Sequence, residues 1–328
     1  MRLVQFLNHD GQSAVAKVAG DRLQLISKYS STYELANEAI VTQQKIGQLV
    51  AKHLSSVYVD YDDIIASDRL LPPVLHPDPL QFWITGTGLT HSGSAATRDA
   101  MHKVLEKEEN LSDSLKIFKM GLEGGKTAKG EIGVQPEWFY KGNGTIVVPP
   151  NGTLDFPTYA LDGGEEPEIV GLYLIGPDGS PNRIGFALGN EYSDHRMERI
   201  NYLYLAHSKL RKCSFGPELL VGDLPDSVAG KVSVIRGQES VWSKEFLSGE
   251  EHMIHSIANL EYHHFKYELF RTPGHLHGHF FGTATFSFSD GIEIQDGDRF
   301  QIESNIFGKP LWNTVKKKNE KTVKIKML

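Results

Sequence analysis

The run Glu165-Glu166-Pro167-Glu168-Ile169-Val170-Gly171-Leu172-Tyr173-Leu174-Ile175-Gly176, followed after a short turn by Gly185-Phe186-Ala187-Leu188-Gly189-Asn190-Glu191, decides how this chain is read. Both halves have the apolar, β-branched character of strands, and the turn between them suits a hairpin that lays them side by side. Residues i and i+2 of a strand share a face, so Glu166 and Glu168 aim together, with Glu191 on the neighbouring run. Ionised carboxylates on one face repel unless a proton or cation lies between them. A hard cation with oxygen ligands answers that repulsion: Mg²⁺ first, Mn²⁺ or Ca²⁺ next. Spacing alone also fits solvated glutamates on an edge strand, and the flanking sequence has to decide.

Working outward, the 328 residues suit one large domain, or a large and a small one, with a substantial core. The single cysteine, Cys213, excludes an internal disulfide and a thiolate metal cage and fits a reducing cytoplasm. Met1–Phe6 shows no signal-peptide apolar region, and no apolar stretch nears the ~18 residues of a membrane span. Net charge is −7, and the one basic run is the tail lysines 316, 317, 318, 321, 324 and 326. That balance points away from nucleic acid and membrane and toward a cytoplasmic protein with a small-molecule partner.

Residues 1–27 predict paired strands at Arg2–Phe6, Ala14–Val18 and Leu23–Ile26. Residues 32–55 carry helical spacing with Thr32 as N-cap. Four prolines between Pro72 and Pro79 then mark a linker, placing a small N-terminal domain at 1–72 and a larger one at 73–328. Beyond it, strands are predicted at Thr145–Val148, Glu168–Ile175, Lys231–Ile235, Phe280–Phe288 and Arg299–Ile306. Helices are predicted at 94–107, 110–121, 193–208 and 243–258. The fold class is α+β and β-rich, closed or nearly closed, without a βαβ array.

Three further segments carry chemistry. Gly86-Thr87-Gly88-Leu89-Thr90-His91 is a glycine-rich turn but not a phosphate loop, because Gly-Lys-Ser/Thr is missing. His91 in it is a candidate general base, or ordinary loop decoration. His275-Leu276-His277-Gly278-His279 puts three imidazoles on one strand face, which offers a cupin-like metal site as a rival centre. Lys209, beside Arg211 and Lys212, is either solvated or held near an anion that it neutralises.

Taken in order, the segments resemble the fumarylacetoacetate hydrolase superfamily over roughly residues 80–315. Pro136-Glu137-Trp138-Phe139-Tyr140-Lys141-Gly142 is similar to the family's Pro-x-x-Phe-x-Lys element, and Glu166-Pro167-Glu168 to its Glu-x-Glu strand. Gly189-Asn190-Glu191-Tyr192-Ser193 resembles its Asn-Asp-x-Ser turn, and Lys209 with Ser214-Phe215-Gly216-Pro217 its downstream lysine and Gly-Pro. Gly282-Thr283, Asp296-Gly297-Asp298 and Leu311-Trp312-Asn313-Thr314-Val315 resemble its closing run. Glu191 stands where the family usually has aspartate, His195 where arginine is frequent, and Glu198 where glutamine is frequent. These departures resemble the bacterial branch of sugar-acid catabolism, whose members are similar to 2-keto-3-deoxy-pentonate dehydratases.

The resemblance implies a mixed β-roll catalytic domain with a small N-terminal α/β domain, paired as a homodimer. It implies Mg²⁺ on Glu166, Glu168 and Glu191, and a 2-keto acid substrate chelated through its carboxylate and keto oxygens, with an enolate stabilised in the reaction. It implies that Lys209 stabilises the anion or relays a proton and that Thr283 and Lys141 hold the substrate carboxylate. His91 is the implied base or water activator, and Glu198 an added acid–base group. The implied reaction is dehydration of an acid such as 2-keto-3-deoxy-L-arabonate, with an acylpyruvate-type carbon–carbon hydrolase second.

Overall fold

The computed structural model describes residues 1–93, 111–319 and 323–328. The helix expected at 94–107 lies outside the described residues. Two sheets carry the fold. The larger runs, edge inward, Leu54–Asp60, Arg22–Ile26, Ser13–Ala19, Arg2–Leu7, Glu218–Leu220, Pro181–Asn190, Pro167–Ile175, Leu276–Phe280, Phe82–Gly86 and Phe139–Asn143. Cys213–Phe215 and Val147–Val148 join it beside Pro181–Asn190. The smaller sheet is Glu239–Ser248, Val228–Arg236, Arg299–Glu303, Leu311–Lys317 and Thr153–Phe156.

Pro167–Ile175 is buried along its whole length, which explains its unbroken apolar run. Val170, Leu172 and Leu174 pack with Phe82, Ile84, Leu276 and Phe280, beneath Leu35 and Ala36 of helix Thr32–Val41 and Leu49 and Val50 of helix Ile46–His53. On its other face Ile169 joins Val232 and Phe246 of the smaller sheet and Leu260 of helix Ile257–Phe265. The strand pairs antiparallel with Pro181–Asn190, so Glu168 faces Gly189 and Pro167 faces Asn190, with a bulge between Arg183 and Gly185. Proline at the first strand position spares the ladder a missing N–H.

Several expected elements differ. Residues 243–258 are not a helix: Glu239–Ser248 is a strand, and the helix starts at Ile257. As the edge of the smaller sheet that strand is exposed along most of its length, so no alternation marked it. Residues 281–288 leave the sheet, because Gly282 turns the chain at φ 86° and Ser287–Asp290 closes a 3₁₀ turn. Residues 32–55 form two helices, and the first is capped by Ser31 instead of Thr32. The stretch 193–208 is likewise broken, into His195–Ile200, Tyr202–Tyr204 and Leu205–Lys209. No helix among the described residues is long and apolar enough to cross a membrane.

Candidate metal centre

The hairpin brings Glu166, Glu168 and Glu191 together. Each offers a carboxylate oxygen, and the three oxygens lie within 4.8 Å of one another. All three residues are buried. Glu191 is level with Glu166, whose carbonyl accepts its N–H at 3.1 Å. Tyr192 follows at φ 45°, a left-handed conformation rare for a bulky residue. The turn it makes lets Ser193 Oγ donate to Glu191 Oε2 at 2.5 Å.

Two buried lysines answer this charge. Lys209, at the end of helix Leu205–Lys209, donates to Glu166 Oε1 at 2.7 Å and Glu191 Oε2 at 2.8 Å, and lies 3.3 Å from Glu198 Oε1. Burial opposes its charge, but Glu166, Glu191 and Glu198 hold its pKa well above the ordinary lysine value. Lys141 donates to Glu191 Oε1 at 2.5 Å, Tyr192 O at 2.9 Å and Lys209 O at 3.0 Å. Its three hydrogens are directed at these three oxygens, so in this structure Lys141 ties Glu191 to the backbone of Tyr192 and Lys209.

The carboxylates differ in how they are compensated. Burial resists ionisation of Glu166, yet Lys209 and His195 outweigh it and hold the group well below the usual range. Glu191 is pushed up by burial and only partly relieved by Lys141 and Lys209. Glu168 is pushed well up by burial and then by Glu166 and Glu191. Gly282 N–H donates to it at 2.6 Å, and no cationic side chain among the described residues forms an ion pair with it. A buried oxygen-only donor set in which Glu168 lacks a cationic partner fits a hard divalent cation.

His195, N-capped into its helix by Asp194, donates from Nε2 to Glu166 Oε1 at 3.0 Å. Its Nδ1 stands 3.5 Å from Asp162 Oδ2, an ion-pair contact too long for a good hydrogen bond. Burial works against its charge, but Asp162 and Glu166 outweigh burial and raise its pKa to about 10. Glu198 accepts from Ser208 Oγ at 2.6 Å. Thr283, next to Gly282, is half-buried, and its Oγ1 accepts from Thr285 N–H at 3.2 Å, which leaves its O–H to donate elsewhere.

His91 makes no hydrogen bond to the three carboxylates among the described residues. Its Nδ1 pairs with Thr90 Oγ1 at 2.9 Å and its Nε2 with Ser248 Oγ at 3.0 Å. Burial pushes it down to about 3, so it is neutral and fully engaged. The three-histidine metal face also fails to form. Trp138 Nε1 donates to His264 Nδ1 at 3.3 Å, so neutral His264 carries its proton on Nε2 and donates to His277 Nδ1 at 3.0 Å. His279 pairs with Thr85 Oγ1 at 2.7 Å and stacks on His264. His264 enters from helix Ile257–Phe265 and packs against the rings of His277 and His279. Among the described residues only the three glutamates present converging metal donors.

Glu137 is buried, accepts from Tyr202 O–H at 2.6 Å and senses the charges of Lys209, Glu198 and Glu166. Burial raises its pKa despite Tyr202 and Lys209, which favours its protonated form. It leans against Gly88, where any side chain would press on its carboxyl. A lone carboxylate between proline and three aromatics (Pro136, Trp138, Phe139, Tyr140) was the sequence signal of burial.

No family model and no curated protein sequence matches this chain. Solved structures do. A 2-keto-3-deoxy-D-arabinonate dehydratase in its apo form superposes with TM-score 0.71 at 17% identity, covering 98% of this chain and 100% of that one. The same-named enzyme complexed with magnesium and 2,5-dioxopentanoate gives 0.70 at 16%, with 98% and 100% covered. A 5-carboxymethyl-2-hydroxymuconate delta-isomerase from Mycobacterium smegmatis gives 0.59 at 18%, with 97% and 100% covered. The chain has the fold these enzymes share, the fumarylacetoacetate hydrolase type that its motifs resemble.

Proposed function

We propose that this chain is a metal-dependent hydro-lyase of a small 2-keto-3-deoxy sugar acid, such as 2-keto-3-deoxy-L-arabonate. The observation that carries this is the buried Glu166–Glu168–Glu191 cluster, with Lys209 held as an ammonium and the buried Glu137, whose pKa burial raises, in electrostatic reach of it. The neighbour that binds magnesium and 2,5-dioxopentanoate supports the substrate class, since that five-carbon keto aldehyde is what such a dehydration yields.

Glu166, Glu168 and Glu191 hold the cation, with Mn²⁺ or Ca²⁺ as substitutes for Mg²⁺. When bound, Mg²⁺ supplies Lewis acidity toward the keto and carboxylate oxygens of the substrate. Lys209 stabilises the negative charge that develops as C3 loses its proton. Glu198 takes that proton. The C4–O bond breaks, and Glu137 gives its proton to the departing hydroxyl, which leaves as water. Thr283 donates its free O–H to the substrate carboxylate. The C3=C4 product then tautomerises to 2-oxoglutarate semialdehyde. Carbon–carbon hydrolysis requires a base for a nucleophilic water, and both nitrogens of His91, the group the resemblance implies for that task, have partners in Thr90 and Ser248.

The test is product analysis after incubating the full chain with Mg²⁺ and 2-keto-3-deoxy-L-arabonate, and separately with an acylpyruvate. A five-carbon semialdehyde that an aldehyde dehydrogenase converts to 2-oxoglutarate is the expected outcome. Pyruvate plus a second fragment overturns the dehydratase reading. Glu137→Gln, which keeps shape but loses the proton, is expected to lower kcat by about 10²–10⁴-fold.

A further inference from the structure

Residues 282–288 touch the acidic run 165–168 at three points. Gly282 N–H donates to Glu168 Oε2 at 2.6 Å. Ser287 donates to both oxygens of Glu165, from N–H to Oε1 and from Oγ to Oε2, each at 2.7 Å. The third contact is indirect. The rings of Phe286 and Phe288 stack against His195, with centroids at 4.7 and 5.4 Å and planes at 10° and 24°. The imidazole so held donates to Glu166.

The other edge of that imidazole meets the segment leading into the same acidic run. Asp162 stands at Nδ1, and Gly164 passes so close that a Cβ there would collide with the ring. His195 thus has its faces stacked on aromatics, one edge against the glycine backbone and the other on Glu166. Both His195 and Lys209 bond the same Glu166 oxygen, Oε1. No protein donor to Oε2 is present among the described residues, so two fixed donors on one oxygen leave the other for a cation.

We propose that His195 is a positioning residue for the metal centre: its hydrogen bond from Nε2 orients the Glu166 carboxylate, and the Phe286–Ser287–Phe288 segment holds the imidazole in place. The inference rests on the reading of Glu166, Glu168 and Glu191 as a cation site. It assigns part of the cation affinity to side chains that touch no cation, and it ties the ligands to the segment that carries Thr283.

Charge and position make opposite predictions here. If His195 mattered only through its positive charge, removing it would tighten binding of a divalent cation. If it orients Glu166, removing it weakens binding, and an uncharged N–H donor at the same reach restores it. The probe is Mn²⁺ added to the metal-stripped full chain, with free aquo-Mn²⁺ read by electron paramagnetic resonance, so turnover plays no part. His195→Ala is expected to weaken Mn²⁺ binding about 10-fold or more, in line with loss of a group that orients a metal ligand. His195→Gln is expected to stay within about 3-fold of the parent chain. Phe286→Leu with Phe288→Leu, which leaves the hydrogen bond but removes the stacking, is expected to fall between them.

Thermal unfolding of each variant confirms that the folded protein is being titrated. Unchanged or tighter Mn²⁺ binding in folded His195→Ala overturns the inference while leaving the cation site intact. Equal losses in His195→Ala and His195→Gln overturn it as well. Failure of the parent chain to bind Mn²⁺ at all, with Glu168→Gln no different, overturns both the inference and the cation site beneath it.

Discussion

At the scale of single residues, the centre is a contest between desolvation and compensation, and Glu168 is where compensation falls short. Its folded pKa is raised, so between the ordinary carboxylate value and that raised one the folded chain binds the extra proton. Stability of the metal-free protein therefore falls as pH rises through that window. Glu168→Gln removes the penalty, and in EDTA at pH 7–8 it is expected to gain on the order of 1–3 kcal/mol in urea unfolding. The same variant is expected to lose Mg²⁺-dependent activity; retention of both metal affinity and turnover would place the site elsewhere. Lys209→Met acts in the opposite direction. It strips Glu166 and Glu191 of the ammonium they share, and breaking such a buried pair costs roughly 3–5 kcal/mol. The unfolding midpoint of that variant checks the sign.

At the scale of elements, the site is a hairpin with its register pinned. A one-residue slip would turn Glu168 to the opposite face of the sheet. The bulge between Arg183 and Gly185 guards against this, because Gly185 lies so close to the Leu220 carbonyl that no side chain fits. Backbone cannot give way as a side-chain tip can, so Gly185→Ala is expected to cost about 2 kcal/mol or more of stability. Gly88→Ala contrasts with it. The atoms nearest its new methyl would be the carboxyl end of Glu137, so the fold is expected to survive while kcat falls by about 10-fold or more as that carboxyl is displaced. Circular dichroism melts beside turnover numbers separate the two cases. Element identity was legible where the pattern was unambiguous, as in Pro167–Ile175. It was lost at Glu239–Ser248, an exposed edge, and at 281–288, where one left-handed glycine ended a strand.

At the scale of the whole molecule, neutral histidines join the larger sheet to its covering helix. Burial takes His277 and His279 to about 3 and holds His264 well below the ordinary value. Unfolded histidines titrate near 6.5, so below that pH the unfolded chain binds protons that the folded chain refuses. Stability is thus at its full value above about pH 6.5 and is lost as pH falls toward 3, by about 1.4 kcal/mol per pH unit for each such group. Urea unfolding between pH 7 and 4.5 is expected to show a shallower acid slope in His277→Asn/His279→Asn than in the parent chain; equal slopes would sink this account. The sequence by itself determined the β-rich class and the hairpin, because strand periodicity is a local property that spacing encodes. For the three glutamates spacing left a solvated edge strand open, and the order of the flanking motifs pointed to the metal set. Only the tertiary structure decided which ionisable groups share one desolvated space. It set His91 against Thr90 and Ser248, Lys141 against Glu191, and the Nδ1 atoms of His277 and His279 against His264 and Thr85. It also brought Glu137 and Phe286 to a centre far from them in the chain, because burial and charge partnership depend on three-dimensional neighbours that no spacing rule reports.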